Sequence, residues 1–307
     1  MKIFYTDQFV LPLPDGHRFP MSKYARLRER VEASGIIPPH ELVEPHAATE
    51  AQLATVHAAD YVRRVFDGTL DAMEQRRIGF PWSAQMVERS RRSVGATIGA
   101  SYAALDDGFA VNLAGGTHHA YADHGEGYCI FNDVAVAIRC LRAEGGIKTT
   151  VVFDCDVRQG NGTAAIFRDD PDVFCFSVHG ANNFPFHKER STLDIALPDR
   201  AGDDVFLGAI SAGVAAALAA GPYDIAYYIA GADAHERDRL GRLNVSAAAL
   251  GERDEIVLGA CHRLSLPAVV VMGGGYGHEV DDTVSIHLNS VLLAASLSAR
   301  SPTNTIL

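Results

Sequence analysis

Short, almost continuous apolar runs alternate along this chain with longer stretches of helical periodicity, and this alternation restricts the available folds more than any other sequence feature. Runs rich in β-branched and aromatic residues that end at Gly or Asp predict strands at Phe109–Leu113, Thr149–Val157, Val173–Val178, Asp224–Ala230 and Pro267–Met272. Between them, helical spacing and good helix formers predict helices near Ala96–Leu105, Asp133–Ala143, Asp204–Ala220, Ala247–Arg263 and Thr283–Leu297. Strands apolar on both faces belong in a parallel sheet covered by helices on both sides, so the expected fold is a three-layer α/β/α domain with a central, mainly parallel sheet. No repeat, linker or shift in composition divides the chain, and residues 1–307 read as a single domain.

Composition narrows the function. With 48% apolar and 21% charged residues the chain is globular, and no segment approaches the roughly 18 consecutive apolar residues of a membrane span. The N-terminus lacks a signal-peptide core, so a cytoplasmic protein is expected. A net charge of -11 argues against a nucleic-acid partner and suits a cationic small molecule or a lysine side chain. The five cysteines form no CxxC pair, which points to free buried thiols rather than disulfides or a cysteine metal site.

In open α/β sheets, ligands bind beyond the carboxyl ends of the strands. Four expected strand ends carry polar residues: Gly115-Gly-Thr-His118-His119, Asp154-Cys-Asp156-Val-Arg158, Ala230-Gly-Ala-Asp233 and Gly273-Gly-Gly-Tyr276-Gly277. In an extended segment a period of two puts Asp154, Asp156 and Arg158 on one side. Such carboxylates either gather a cation or close the strand and cap a helix, and each adjacent histidine either does chemistry or bonds to backbone. The glycine run is either a plain turn or a place where backbone approaches a ligand, with the Tyr276 phenol able to donate to a developing oxyanion. It does not complete GxGxxG, because His278 holds the last glycine position, and His235-Glu236 does not extend to HExxH.

Together these segments resemble the zinc-dependent histone deacetylase family, which has the arginase/deacetylase fold, and especially its class IV branch and bacterial relatives. The resemblance starts at His17-Arg-Phe-Pro-Met-Ser-Lys-Tyr24 and Leu53-Ala-Thr-Val-His57-Ala-Ala-Asp60-Tyr61. It continues through the four strand-end motifs and through Gly127-Tyr128-Cys-Ile-Phe-Asn132-Asp133. Gln159-Gly-Asn161-Gly162 is the run that favours class IV.

The resemblance implies hydrolysis of an N-acyl-lysine or a related acylated amine with a Zn²⁺ cofactor. It places Asp156, Arg158 and Asp233 at the three metal-ligand positions and His119 as general base and then acid. His118 becomes its electrostatic partner, bonded to Asp154, and Asn161 orients His119, leaving a less basic imidazole than an aspartate would. Tyr276 becomes the oxyanion donor, and Gly127, Tyr128 and Phe184 line the substrate tunnel. Arg158 departs from the family pattern, which has a histidine there: a guanidinium has no lone pair to give a metal. The expectation is that Arg158 pairs with Asp156 and Asp233, that zinc is weakly bound or absent, and that hydrolysis is impaired. The alternative is a catalytically inactive module that binds the acylated amine. A binuclear manganese site of the arginase type is disfavoured, because Asp154-Cys-Asp156-Val-Arg158 lacks the Asp-x-His-x-Asp pattern.

Overall fold

The computed structural model describes residues 1–300; residues 301–307, included in the expected domain, lie outside the described residues. Eight strands form one sheet: β1 (Ile3–Phe4), β2 (Leu42–Val43), β3 (Phe109–Asn112), β4 (Thr150–Asp154), β5 (Val173–Gly180), β6 (Leu193–Leu197), β7 (Ile225–Ile229) and β8 (Ala268–Val271). Their order is β2-β1-β3-β8-β7-β4-β5-β6, and every pairing is parallel. The helices are α1 (Ser22–Ser34), α2 (Glu50–Leu53), α3 (Ala59–Asp67), α4 (Ala72–Ile78), α5 (Ala84–Asp107), α6 (Asp133–Ala143), α7 (Asn161–Ile166), α8 (Asp203–Ala219), α9 (Ala247–Arg263) and α10 (Val280–Ser298).

The central strands are buried on both faces, and their side chains divide by parity. Ala226 and Tyr228 of β7, Val151 and Phe153 of β4, and Ala268 and Val270 of β8 join one core with α1, α8, α9 and α10. Ile225, Tyr227 and Ile229, with Val152, Val269 and Val271, join the opposite core with α3, α5 and α6. These are the three layers that the sequence pattern predicts.

Register then positions the site. Asn112 pairs with Val271, Ile229 with Val271, and Asp154 with Ile229, so the four central strands end level with one another. The four polar loops therefore leave the sheet along one edge. One local expectation is corrected: β4 stops at Asp154, and residues 155–158 leave the strand without extended pairing. Asp154, Asp156 and Arg158 consequently point to three different partners instead of lining one side of a strand.

Candidate active site

The loop after β3 is tied down by one carboxylate. Asp133, in the first turn of α6, accepts from the amides of Gly116 (3.1 Å) and Thr117 (2.8 Å) and from the hydroxyls of Thr117 and Thr97 (2.6 Å each). Gly116 adopts a left-handed φ of +70°, and a Cβ there would stand 2.7 Å from the backbone of Gly273. The loops after β3 and β8 thus touch backbone to backbone, which brings His118 and His119 over the glycine run.

The two histidines have different surroundings. His118 Nδ1 bonds to Asp154 Oδ2 at 2.7 Å, and its Nε2 lies 3.9 Å from Asp156 Oδ1. Burial alone would discharge this imidazole, but Asp154 and Asp156 together outweigh burial and raise its pKa to about 9. His119 Nδ1 bonds to Asn161 Oδ1 at 2.7 Å, while its Nε2 is buried without a partner. Burial, then the charges of His118 and Arg158, push its pKa well below the ordinary value. Asn161 directs its Nδ2 to Tyr121 Oη (3.1 Å) and Glu126 Oε1 (3.4 Å). Turning the amide over would set Oδ1 against the Glu126 carboxylate, so Glu126 keeps Oδ1 facing His119. With Asn161 accepting, His119 carries its proton on Nδ1 and presents the Nε2 lone pair to the cavity.

Backbone amides take both oxygens of Asp156 but only one of Asp233. Asp156 Oδ2 accepts from Gly274 N at 2.6 Å, and its Oδ1 accepts from Arg158 N at 3.0 Å. Asp233 Oδ1 accepts from Val157 N at 3.0 Å. Asp233 Oδ2 is buried with no hydrogen bond, 3.5 Å from Arg158 Nη2, which also lacks one. Burial and the neighbouring Asp156 raise the Asp233 pKa to about 7. A Cβ at Gly274 would lie 2.1 Å from Asp233 Oδ2, so only glycine lets this backbone reach both carboxylates. Arg158 also donates from Nη1 to Tyr276 Oη at 3.3 Å, and its guanidinium stands 4.3 Å from the Tyr276 ring centroid. The expected pairing of Arg158 with both aspartates is thereby corrected. Only Asp233 comes within ion-pair range, because backbone amides already satisfy both oxygens of Asp156.

Aromatic side chains close the space. Tyr128 has φ +69° and packs against Phe19, ring centroids 5.3 Å apart. Phe184 meets His119 edge-on at 5.0 Å, and a Cβ on Gly127 would stand 2.7 Å from His119 Cδ2 and 3.0 Å from Phe184 Cε1. Phe19, Gly127, Tyr128, His119, Arg158 and Tyr276 line a cavity of about 40 Å³. A larger groove of about 850 Å³ lies at the opposite, amino-terminal edge beside Thr149, Val173 and Thr192, and none of the paired histidines, Asp154, Asp156, Arg158, Asp233 or Tyr276 lines it. Two contributors were given no role by the sequence reading: Glu126 behind Asn161, and Lys23, which lies in the His17–Tyr24 run. Buried Lys23 donates to the carbonyls of Gly273 (3.4 Å) and Gly275 (3.5 Å), with its ammonium 5.5 Å from the Tyr276 ring centroid. Neither belongs to a strand-end motif, and what they touch lies in other segments of the chain.

A zinc site needs three lone-pair donors with an open fourth position. Among the described residues no group of three or more His, Cys, Asp or Glu side chains comes together in a way that could hold a metal ion. Asp156 and Asp233 are close together, but the position where the resemblance expects a third ligand holds the Arg158 guanidinium, which has no lone pair to give. As the chain stands, these residues do not fit zinc.

Fold and site define a three-layer α/β protein whose paired histidines, carboxylates and tyrosine meet at the carboxyl edge of a parallel sheet. Residues 17–292 match the histone deacetylase domain, and the chain belongs to that family. An uncharacterized protein of Picosynechococcus sp. is 42% identical over 285 residues, spanning 93% of this chain and 95% of its own length. A probable deacetylase of Methanothermobacter thermautotrophicus is 29% identical, covering 91% and 86% of the two chains. Histone deacetylase 2 of Arabidopsis thaliana is 27% identical, covering 90% and 74%. Among solved structures, an HDAC homolog from Aquifex aeolicus superposes with a TM-score of 0.82 at 24% identity, over 98% of this chain and 84% of that one. The family resemblance and the α/β/α fold expected from sequence both hold.

Proposed function

We propose that this chain keeps the acyl-amine pocket of a metal-dependent amidohydrolase, for an N-acyl-lysine or related acylated amine, while Arg158 at the third ligand position impairs hydrolysis. The observation that carries this reading is the Arg158 guanidinium, buried between Asp233 and Tyr276 at the place where the resemblance puts a zinc ligand. In an active relative the metal would polarise the acyl carbonyl. Here His119 offers Nε2 as a base, Asn161 and Glu126 hold its tautomer, and His118 with Asp154 forms a charged pair beside it. Tyr276 offers a phenol proton to the carbonyl oxygen, and Gly127, Tyr128 and Phe184 shape the entry. The Gln159-Gly-Asn161-Gly162 run supports placement near class IV.

Bound zinc and acetate release from an acetyl-lysine peptide, measured for the native chain and for Arg158→His, test the proposal. The native chain should hold well under one zinc per molecule. Its turnover should fall about 100-fold or more below Arg158→His, the order of effect expected when Lewis-acid assistance is lost. Stoichiometric zinc with equal turnover in both proteins overturns it.

A further inference from the structure

In most buried sites every polar group has a partner, so orphaned atoms facing one small space indicate what that space is shaped to receive. Two such atoms belong to residues that line the cavity at the carboxyl edge, Arg158 Nη2 and His119 Nε2; a third, Asp233 Oδ2, lies behind Arg158, 3.5 Å from Nη2. Arg158 and Tyr276 converge, with Nη1 3.3 Å from Oη, and because Tyr276 Oη accepts from Arg158 its own proton is free to point into the cavity. One wall therefore offers two donors, a guanidinium N–H and a phenol O–H. The facing wall offers a lone pair on His119, with Asn161 holding the ring proton on the far nitrogen.

We infer that this chain binds the intact secondary amide of an acetylated amine without a metal, its carbonyl oxygen accepting from Arg158 and Tyr276 and its N–H donating to His119 Nε2. This rests on the reading of the pocket as an acyl-amine site and adds how the amide is held once the metal ligand has become a cation. A secondary amide carries one acceptor and one donor, matching both walls. A carboxylate carries acceptors only, so it would face the His119 lone pair and the charges of Asp156 and Asp233. Size agrees, because a cavity of about 40 Å³ has room for an acetyl-sized group. The site thus retains an acetyl-amide that an active relative would cleave.

The test is calorimetric titration of the full chain, in excess chelator, with a peptide carrying Nε-acetyl-lysine, the same peptide unacetylated, and sodium acetate. Infrared spectra of the acetyl peptide labelled with ¹³C at the carbonyl accompany it. The acetyl peptide should bind equally with and without chelator, and more tightly than the unacetylated peptide or acetate. Arg158→Met should weaken binding about tenfold or more, the usual size of a lost charge-assisted hydrogen bond. The labelled carbonyl band should move to lower wavenumber on binding to the native chain, a readout that needs no variant to fold, and less so with Arg158→Met. Binding that is equal in Arg158→Met, that requires added zinc, or that acetate matches overturns the inference and leaves the acyl-amine reading standing. Failure of any acylated amine to bind the native chain or Arg158→His, with or without zinc, overturns both.

Discussion

Asp133 bears more of the site than its place outside the chemistry suggests. Four donors from the β3 loop and α5 converge on a carboxylate that is fully buried. Removing it leaves those donors unsatisfied and frees the segment that carries both histidines. Asp133→Ala should cost about 3–5 kcal/mol in urea unfolding, the range for breaking a buried charged network. His119 gives a second residue-scale prediction. An amide faces its Nδ1, so Asn161→Asp, which substitutes a carboxylate, should raise the ring's titration from its depressed position when followed by NMR. Individual contacts were unevenly legible at this scale. His118, His119, Asp154 and Asn161 stand in local motifs, and their contacts follow those motifs. Glu126 and Lys23 stand outside the strand-end motifs, so only the folded chain shows what they touch. The reach of Arg158 toward one aspartate instead of two depended on backbone amides whose position no sequence pattern records.

Between elements, the loops following β3 and β8 meet at Gly116 and Gly273 with no room for a side chain. Gly116→Ala combines a left-handed backbone with a clash against backbone, which cannot swing aside. A loss of about 2–4 kcal/mol in chemical denaturation, with reduced ligand binding in whatever fraction stays folded, is the expected result. Long apolar strands and helices were readable: α6 and α9 coincide with their expected bounds, β3 is one residue shorter at one end, and β7 and β8 are one residue shorter at each end. Strands β1 and β2 have two residues each, too few to carry a period. Strand β6 lies at the sheet edge and alternates in burial, so it lacks an apolar run. Helix α5 starts twelve residues before its expected onset, at Ala84 instead of Ala96, under the Ser83 cap. Its first half carries Arg89, Arg91 and Arg92, which interrupt the apolar pattern. Arg89 is in fact buried, donating to the carbonyls of Thr6 and Phe9 at 3.1 Å.

Across the whole molecule, one sheet supplies side chains to both cores, so neither can unfold while the other remains intact. Calorimetry should show a single transition, and two resolved transitions would contradict the single-domain reading. Stability should also fall with acid. Buried His57 donates from Nδ1 to Tyr121 O (2.9 Å) and accepts at Nε2 from Asn132 N (3.0 Å), a pattern open only to the neutral ring. Burial lowers its pKa to about 4. The unfolded chain takes up this proton near pH 6.5 and the folded one does not, so stability drops as pH falls from about 6.5 to about 4. The contribution reaches about 3 kcal/mol, and His57→Gln should flatten the slope between denaturation curves at about pH 7 and about pH 4.5.

The order of apolar runs and helical stretches determined the three layers, and the motifs after four strands determined the family and the residues worth following. Both are local properties, set by side-chain period and by turn chemistry within a few residues. Tertiary structure alone decided which orphaned atoms share a cavity, which carboxylate remained for Arg158, and that no metal-binding group forms among the described residues. Each of these depends on the sheet register that brings residues from positions 118, 158, 233 and 276 to one edge, where backbone amides compete with side chains for the same oxygens.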